Sequence, residues 1–302
     1  MGTSPVTFPL GPPTVSGDTL TVDTALKQPT RVTRRIADLT LQKFIVSRIF
    51  AQGGSVSGGA VVYDQAVLNQ LYLDNDVERV SPGGEFPIVG SSRQAPKVAE
   101  VEKYGGKFFV TDEARDRNDV AHFNNQVVML ANTIVRKVNT RAVAELEAAI
   151  TALGGAGTFV GNNWNSVVTA GSSASNHDLW PLNDFAQAQL LADQDELGVT
   201  YDVWIVNPVQ KAALISIYGA SGLREILEEM EIREIYASNR VTNGSAYAVA
   251  SQQVGELRME QPLRTETDRV VKNEKTLVQS SVRPVMYVTN PYSIKKVTGL
   301  NG

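Results

Sequence analysis

The run from Asp119 to Leu153 limits what this chain can fold into more than any other stretch. Its apolar positions are Val120, Phe123, Val127, Ala131, Ile134, Val138, Ala142, Leu146, Ala149 or Ile150, and Leu153. Each follows the last by three or four residues, which keeps one stripe on one face of a helix. No Gly or Pro interrupts the run, and Gly154-Gly155 stops it. The opposite face carries Asn124, Gln126, Arg136, Lys137, Asn139, Arg141, Glu145 and Glu147. At about 1.5 Å per residue the rod is roughly 50 Å long, beyond the diameter of one compact domain. It is therefore expected to serve as a spine for more than one packing unit.

The 302 residues suffice for one large or two ordinary domains. A net charge of -4 lacks the distinctly basic balance of a nucleic-acid-binding domain. Without cysteine there is no disulfide framework, thiolate nucleophile or Cys-based zinc site. The first basic residue is Lys27, so no signal peptide is visible. No run of about 18 apolar residues could span a membrane. Met1-Gly2 opens like a myristoylation signal, but Val6 occupies the Ser/Thr position. The expectation is a soluble chain, intracellular when made, with no membrane partner.

Residues 1–30 are rich in Pro, Thr and Gly and read as an extended arm without a core. A helix is expected from Thr33 to Ala51, stopped by Gly53-Gly54. Arg31, Arg34 and Arg35 at its start read as a solvated face rather than a polyanion contact. From Ser55 to Lys107, short β-prone runs (Ala60–Tyr63, Val77–Val80, Phe86–Val89, Lys97–Tyr104) alternate with turn signals. Pro82-Gly83-Gly84 falls where a hairpin tip belongs, and Gly105-Gly106 makes a second turn. A two-stranded hairpin is marginal alone in water, so it needs a surface to lie on, and a neighbouring subunit is one candidate.

After the spine, residues 154–175 are a small-residue loop and a second α/β segment begins at Asn176. Tyr201–Val206 is a buried-strand run, and Asn207-Pro208 is an N-cap followed by Pro at the first helical position. Two helices follow, with Val209, Ala213 and Ile217 on the first and Leu223, Ile226, Leu227 and Met230 on the second. Further strands are expected at Glu234–Ser238, Ala246–Val249, Glu256–Glu260, Thr276–Val282, Val285–Thr289 and Ile294–Val297.

Concentrated reactive chemistry is missing. His122 and His177 are the only histidines. Ser175, His177 and Asp178 are too close in sequence for triad geometry, and no G-x-S-x-G elbow accompanies them. Gly155-Ala156-Gly157 with Gly161 follows a helix rather than a strand and has the wrong spacing for a phosphate loop. Glu225, Glu228, Glu229 and Glu231 read as a solvated helix face, and Asp193, Asp195 and Glu196 as a polar helix end. No catalytic, cofactor-binding or metal-binding residue is assigned, and no cofactor is expected. The chain reads as structural and not as an enzyme.

The run Lys103-Tyr104-Gly105-Gly106-Lys107-Phe108-Phe109-Val110-Thr111-Asp112-Glu113, entering the long helix, resembles the tailed-phage major capsid proteins of the Hong Kong 97 capsid fold. The Asp202–Pro208 junction is similar to one in that family's axial domain, and Arg283–Val288 through Val297-Thr298-Gly299 resembles its returning strand. The resemblance implies an α+β fold with four parts. These are an N-terminal arm (1–52), an extended loop (53–107), a peripheral domain with the spine (108–153 and 283–302) and an axial domain (154–282). It implies a major capsid protein of a tailed bacteriophage, whose hexamers and pentamers close an icosahedral shell around double-stranded DNA held without sequence-specific binding. A virion location follows, with assembly in the host bacterial cytoplasm and a separate scaffold, portal and cement or decoration proteins as partners. No scaffold-like segment precedes the arm, so a separate scaffold or a removed prosegment is expected.

Some relatives cross-link a loop lysine to a neighbour's asparagine with help from a glutamate. Here no lysine lies between Phe50 and Pro96. Asn273 falls near the acceptor position, but Gln279-Ser280-Ser281 holds no acid, so a non-covalent shell is expected. Arg79, Glu85 and Arg93 are the candidate inter-subunit ion pairs, with solubilising charge as the alternative. Two other readings remain: a bacterial nanocompartment shell of the encapsulin kind, and a soluble α/β ligand-binding protein or enzyme.

Overall fold

The computed structural model describes residues 22–41, 45–67, 77–87 and 95–301. Helices α1 (Val22–Lys27), α2 (Pro29–Leu41) and α3 (Val46–Ile49) precede strand β1 (Ala51–Ser55). Strands β2 (Ala60–Tyr63) and β3 (Lys97–Glu100) form a separate two-stranded ribbon. β4 (Tyr104–Thr111) leads through α4 (Asp112–Asp116) into α5 (Val120–Leu153). There follow β5 (Thr158–Val160), α6 (Pro181–Gln194), β6 (Val203–Val206), α7 (Pro208–Glu229), β7 (Glu234–Ala237) and β8 (Ala246–Val249). β9 (Gly255–Val270), β10 (Lys275–Val288) and β11 (Ile294–Thr298) complete the chain.

The spine α5 begins where the Asp119 carboxylate accepts the His122 N–H, satisfying one orphan donor of the first turn. It ends at Gly154, whose φ of +62° a side chain would resist. Its stripe enters two cores. Phe123, Val127 and Ala131 pack with Val22, Leu26 and Ile36 of the first two helices and with Phe108, Val110 and Val278. Ile134, Val138, Ala142, Leu146 and Ile150 pack with Ile45, Ile49 and Phe50 and with one face of the second sheet.

That second sheet has the order β5-β11-β8-β6-β7. Strand alternation divides it cleanly. Val203, Ile205, Tyr247 and Val249 face the spine. Trp204, Val206, Ala246 and Ala248 face a third core built on Phe185 and Ala188 of α6 and Leu214 of α7. Buried on both faces, β6 reads as the unbroken apolar run Val-Trp-Ile-Val. Asn207 caps α7 by accepting the Val209 N–H, ahead of Pro208 at the first helical position. Gly219, at φ +66°, breaks α7 into the two helices the sequence implied.

The first sheet, β1-β9-β10-β4, is dominated by the β9–β10 hairpin. β9 runs on beyond the expected Glu256–Glu260 segment and contains Pro262, and β10 joins the expected Thr276–Val282 and Val285–Thr289 segments across Pro284. Each proline is absorbed where the register shifts beside Arg283, since a bulge tolerates a residue without an N–H.

Other expectations are corrected. The arm was to lack a core to residue 30, yet Val22, Ala25 and Leu26 are buried against the spine; residues 1–21 lie outside the described residues. The helix expected over Thr33–Ala51 is instead α2, from Pro29 to Leu41, and the short α3, and Gly53-Gly54 does not stop a helix but lies in β1. Gly105-Gly106 is not a turn but part of β4. A Cβ on Gly105 would lie 2.6 Å from the Ser280 carbonyl oxygen, and one on Gly106 would lie 2.7 Å from Leu130 Cδ1. The glycines let the strand close on β10 and on the spine. Val77–Val80 forms no strand, and Thr158–Val160 is one where a loop was expected.

Leu146 is fully buried at the spine's contact with the second sheet. Leu146→Ala is expected to cost about 2–5 kcal/mol in urea unfolding, while Met129→Ala, on the exposed face, stays within about 0.5 kcal/mol.

Candidate assembly surfaces

The β2–β3 ribbon is the least self-sufficient part of the chain. Val62 pairs across it with Val98, and these two side chains are 67% and 62% exposed. In the segment that continues it, Val77 and Phe86 are 75% and 79% exposed. Large apolar side chains are thus left exposed to water on the ribbon and on the segment that continues it.

The root of the ribbon is fixed within the subunit. Tyr63 stacks on Tyr287 of β10 with ring centroids 4.7 Å apart. The Ala66 N–H donates to the Thr289 carbonyl at 2.6 Å, and the Glu102 N–H to the Pro284 carbonyl at 3.1 Å. On the spine side, Arg141 reaches Glu102 at 2.6 Å and also bonds Glu145, while the Tyr104 hydroxyl donates to Glu102. Burial raises the Glu145 carboxyl above its ordinary value, and the Glu102 charge adds to the rise while Arg141 opposes it. Burial, with Glu145 nearby, also raises the Tyr63 hydroxyl. Beneath the stacked rings, Tyr287 donates to Glu256 at 2.6 Å and Arg258 bonds the same oxygen. Burial and the Glu256 hydrogen bond push Tyr287 up to about 12, and those two donors hold Glu256 low.

The sequence-predicted contacts fall on this appendage. Arg79 and Glu85 are exposed on the 77–87 segment, where neither makes a hydrogen bond or ion pair with a described residue. Arg93 lies outside the described residues. The Ser175 hydroxyl accepts the Val168 N–H, while the His177 ring lies against Trp180 at 4.8 Å. His122 is exposed in the first turn of the spine. The carboxylates at 225, 228, 229 and 231 are exposed at the end of α7. Among the described residues, no group of three or more His, Asp or Glu could hold a metal, and no helix is long and apolar enough to cross a membrane.

Two polar centres escaped the sequence reading. Asp184, nearly fully buried at the start of α6, accepts the Asn162 N–H at 3.0 Å and the Trp164 indole N–H at 2.6 Å. Burial raises its pKa, and those donors moderate the rise. Lys295 is 3% exposed, its ammonium held by the Ala156 carbonyl at 2.7 Å and Asp195 at 3.1 Å. Beside it, Lys296 bonds Glu147 of the spine at 2.6 Å, and the Tyr247 hydroxyl shares that carboxylate. None of these pairs is local in sequence. Only Arg141–Glu145, four apart on one helix, left a signal that spacing could have found.

A long spine under two sheets, with a protruding ribbon rooted on it, is the architecture of a capsid shell subunit. The sequence profile of one family, described as phage capsid protein, matches residues 94–297, and the chain belongs to that family. Its fold is the Hong Kong 97 capsid fold. A virus-like particle from Pyrococcus furiosus has a subunit with a TM-score of 0.56 at 15% identity, over 87% of this chain and 97% of that one. The capsid of cyanophage P-SCSP1u gives 0.56 at 14%, over 86% and 89%. A phage-related protein from Bordetella bronchiseptica RB50 gives 0.53 at 14%, over 88% and 96%. A search of curated proteins gives no match.

The raised Glu145 carboxyl has a defined pH consequence. Its folded pKa exceeds the unfolded value near 4.5, so its proton favours the folded chain. That contribution is complete below pH 4.5 and is lost as pH rises through the folded value. Melting temperatures of wild type and Glu145→Gln, followed from pH 4 to 7, should show the variant gaining relative to wild type as pH rises.

Proposed function

We propose that this chain is the major capsid protein of a tailed bacteriophage. Its subunits form hexamers and pentamers that close an icosahedral shell around double-stranded DNA. The observation that carries this reading is the ribbon in a chain of the phage capsid family: an extended loop with exposed Val62, Val98 and Phe86 is suited to cover by a neighbour. Contacts made head to tail close into rings, and rings tile a shell. In this reading residues 1–52 are the arm, 53–107 the extended loop, 108–153 with 283–302 the peripheral domain, and 154–282 the axial domain. Arg79, Glu85 and Arg93 make ion pairs between subunits. A separate scaffold, portal and decoration proteins are its partners, the host cytoplasm is where it assembles, and the virion is where it resides.

The shell is held without lysine–asparagine cross-links, consistent with the lysine-free interval from Phe50 to Pro96. The expressed chain should give shells in negative-stain micrographs. Boiled in detergent, they should give a single monomer band near 32.7 kDa, whereas a ladder of larger bands would refute the non-covalent reading. Nuclease-protected DNA in native particles marks a virion; an enzyme cargo without nucleic acid marks a nanocompartment instead. A chain that stays monomeric at high concentration sinks both.

Because α1 is packed into a core, removal of residues 1–21 alone tests the arm. The truncated chain should fold, with a normal circular dichroism spectrum, but lose closed shells. Arg79→Glu should lower shell yield; unchanged yield removes Arg79 from the contacts.

A further inference from the structure

Several of the cations on this surface are matched by acids. Arg48 pairs with Glu234, Arg233 with Asp202, Arg258 with Glu256, Arg269 with Asp112, and Arg283 with Glu260. One groove gathers four cations and no acid. It lies between the middle of the spine, the turn before β4 and the loop after β7, has a volume of about 480 Å³, and is lined by Lys103, Arg136, Lys137 and Arg240 with no acid among its lining residues. All four side chains are exposed, and none makes an ion pair with a described residue. They come from three separate elements. The bare Gly106, pressed on Leu130, draws the start of β4 against the spine and so brings Lys103 towards Arg136 and Lys137. Concentrating four like charges without a counter-charge is unfavourable in isolation, and the cost is recovered when an anion arrives.

We infer that this groove binds the phosphodiester backbone of double-stranded DNA, one contact site per subunit in a protein that is otherwise weakly acidic. The inference rests on the reading of the chain as the wall of a DNA container. Long, exposed cations without a desolvated aromatic anchor suit a partner that offers regularly spaced charge but no fixed pattern of side chains. Such contacts release counterions and read no sequence. With a net charge of -4 over the whole chain, the groove gives a local grip in a protein whose overall charge does not attract DNA.

The test titrates purified protein against a mixed-sequence 40-base-pair DNA duplex over a range of salt concentrations, with polyglutamate of equal charge in a parallel arm. Replacing two phosphate-contacting cations should reduce the slope of log K against log salt by about 2. Arg136→Gln with Lys137→Gln, and independently Lys103→Gln with Arg240→Gln, should each do so and weaken binding at least tenfold at low salt. Arg224→Gln with Lys272→Gln, exposed cations elsewhere, should change neither. Shell formation, scored by negative stain, should persist in both groove variants. A slope unchanged in either groove variant overturns the inference and leaves the capsid reading intact. So does polyglutamate bound as tightly as the duplex, or loss of shells with DNA binding unchanged, since either marks a contact between proteins. Failure of the wild type to form shells counts against the capsid reading itself.

Discussion

A helix of 34 residues can belong to two cores only if its apolar stripe stays in phase throughout, and α5 does so with steps of three and four. A single added or deleted residue near Ala131 would rotate one half by about 100° relative to the other, burying charges such as Arg136 where apolar residues now lie. The two sheets therefore owe their relative placement to one continuous hydrogen-bonded rod and not to a flexible linker. Gly105 and Gly106 act at the same point. By letting β4 approach both β10 and the spine, they join the first sheet to the rod near where the two cores meet.

The spine also fixes the ribbon. Glu102 and Glu145 share Arg141, and the nearby Tyr63 ring stacks on Tyr287, so the root is held by a partly buried, hydrogen-bonded polar network. Burial costs such a network energy unless its members satisfy each other, and a network that is satisfied admits few geometries. Farther out, Phe86 and the Val62–Val98 pair are exposed among charged side chains such as Arg79 and Glu85. The two halves of the appendage thus have different physical tasks. The polar root sets its direction from within the subunit, and the exposed apolar side chains farther out offer area for another surface.

Much of this architecture was legible in the sequence because its strongest signals are periodic. The spine, the β6 run and the Asn207-Pro208 junction depend on local pattern, and each lies within a residue or two of its expected place. Punctuation misled where tertiary structure absorbed it. The expected strands stop short of Pro262 and Pro284, which β9 and β10 absorb at a bulge, while Gly53-Gly54 and Gly105-Gly106 read as a stop and a turn but lie within strands, Gly53, Gly105 and Gly106 allowing close packing. Val22–Lys27 looked like bare arm because three apolar residues carry little periodicity, yet the spine offers them a groove. The candidate contacts Arg79 and Glu85 were picked as charges on the ribbon, whereas its more telling feature is exposed hydrophobic area. The groove cations were individually visible, but nothing in spacing could bring Lys103 and Arg240, 137 positions apart, to one stretch of helix.

Buried charge gives the same lesson from the interior. Lys295 and Asp184 lie on opposite sides of stability arguments that composition cannot distinguish, because each is costly alone and tolerable only with its partners in place. Lys295 ties β11 to the end of α6 through Asp195 and to the turn after the spine through Ala156. Asp184 ties the start of α6 to the Asn162–Trp164 turn. Together they pin both ends of one helix to the loop that leaves the spine. The second sheet and its outer helices are thereby held in register with the rod even though no apolar residue of α6 reaches the spine's core. In the proposed shell this matters directly. A ring of subunits closes only if the angle between the ribbon's root and the far edge of the second sheet is held, and the polar ties at that root and at both ends of α6 are what resist its change.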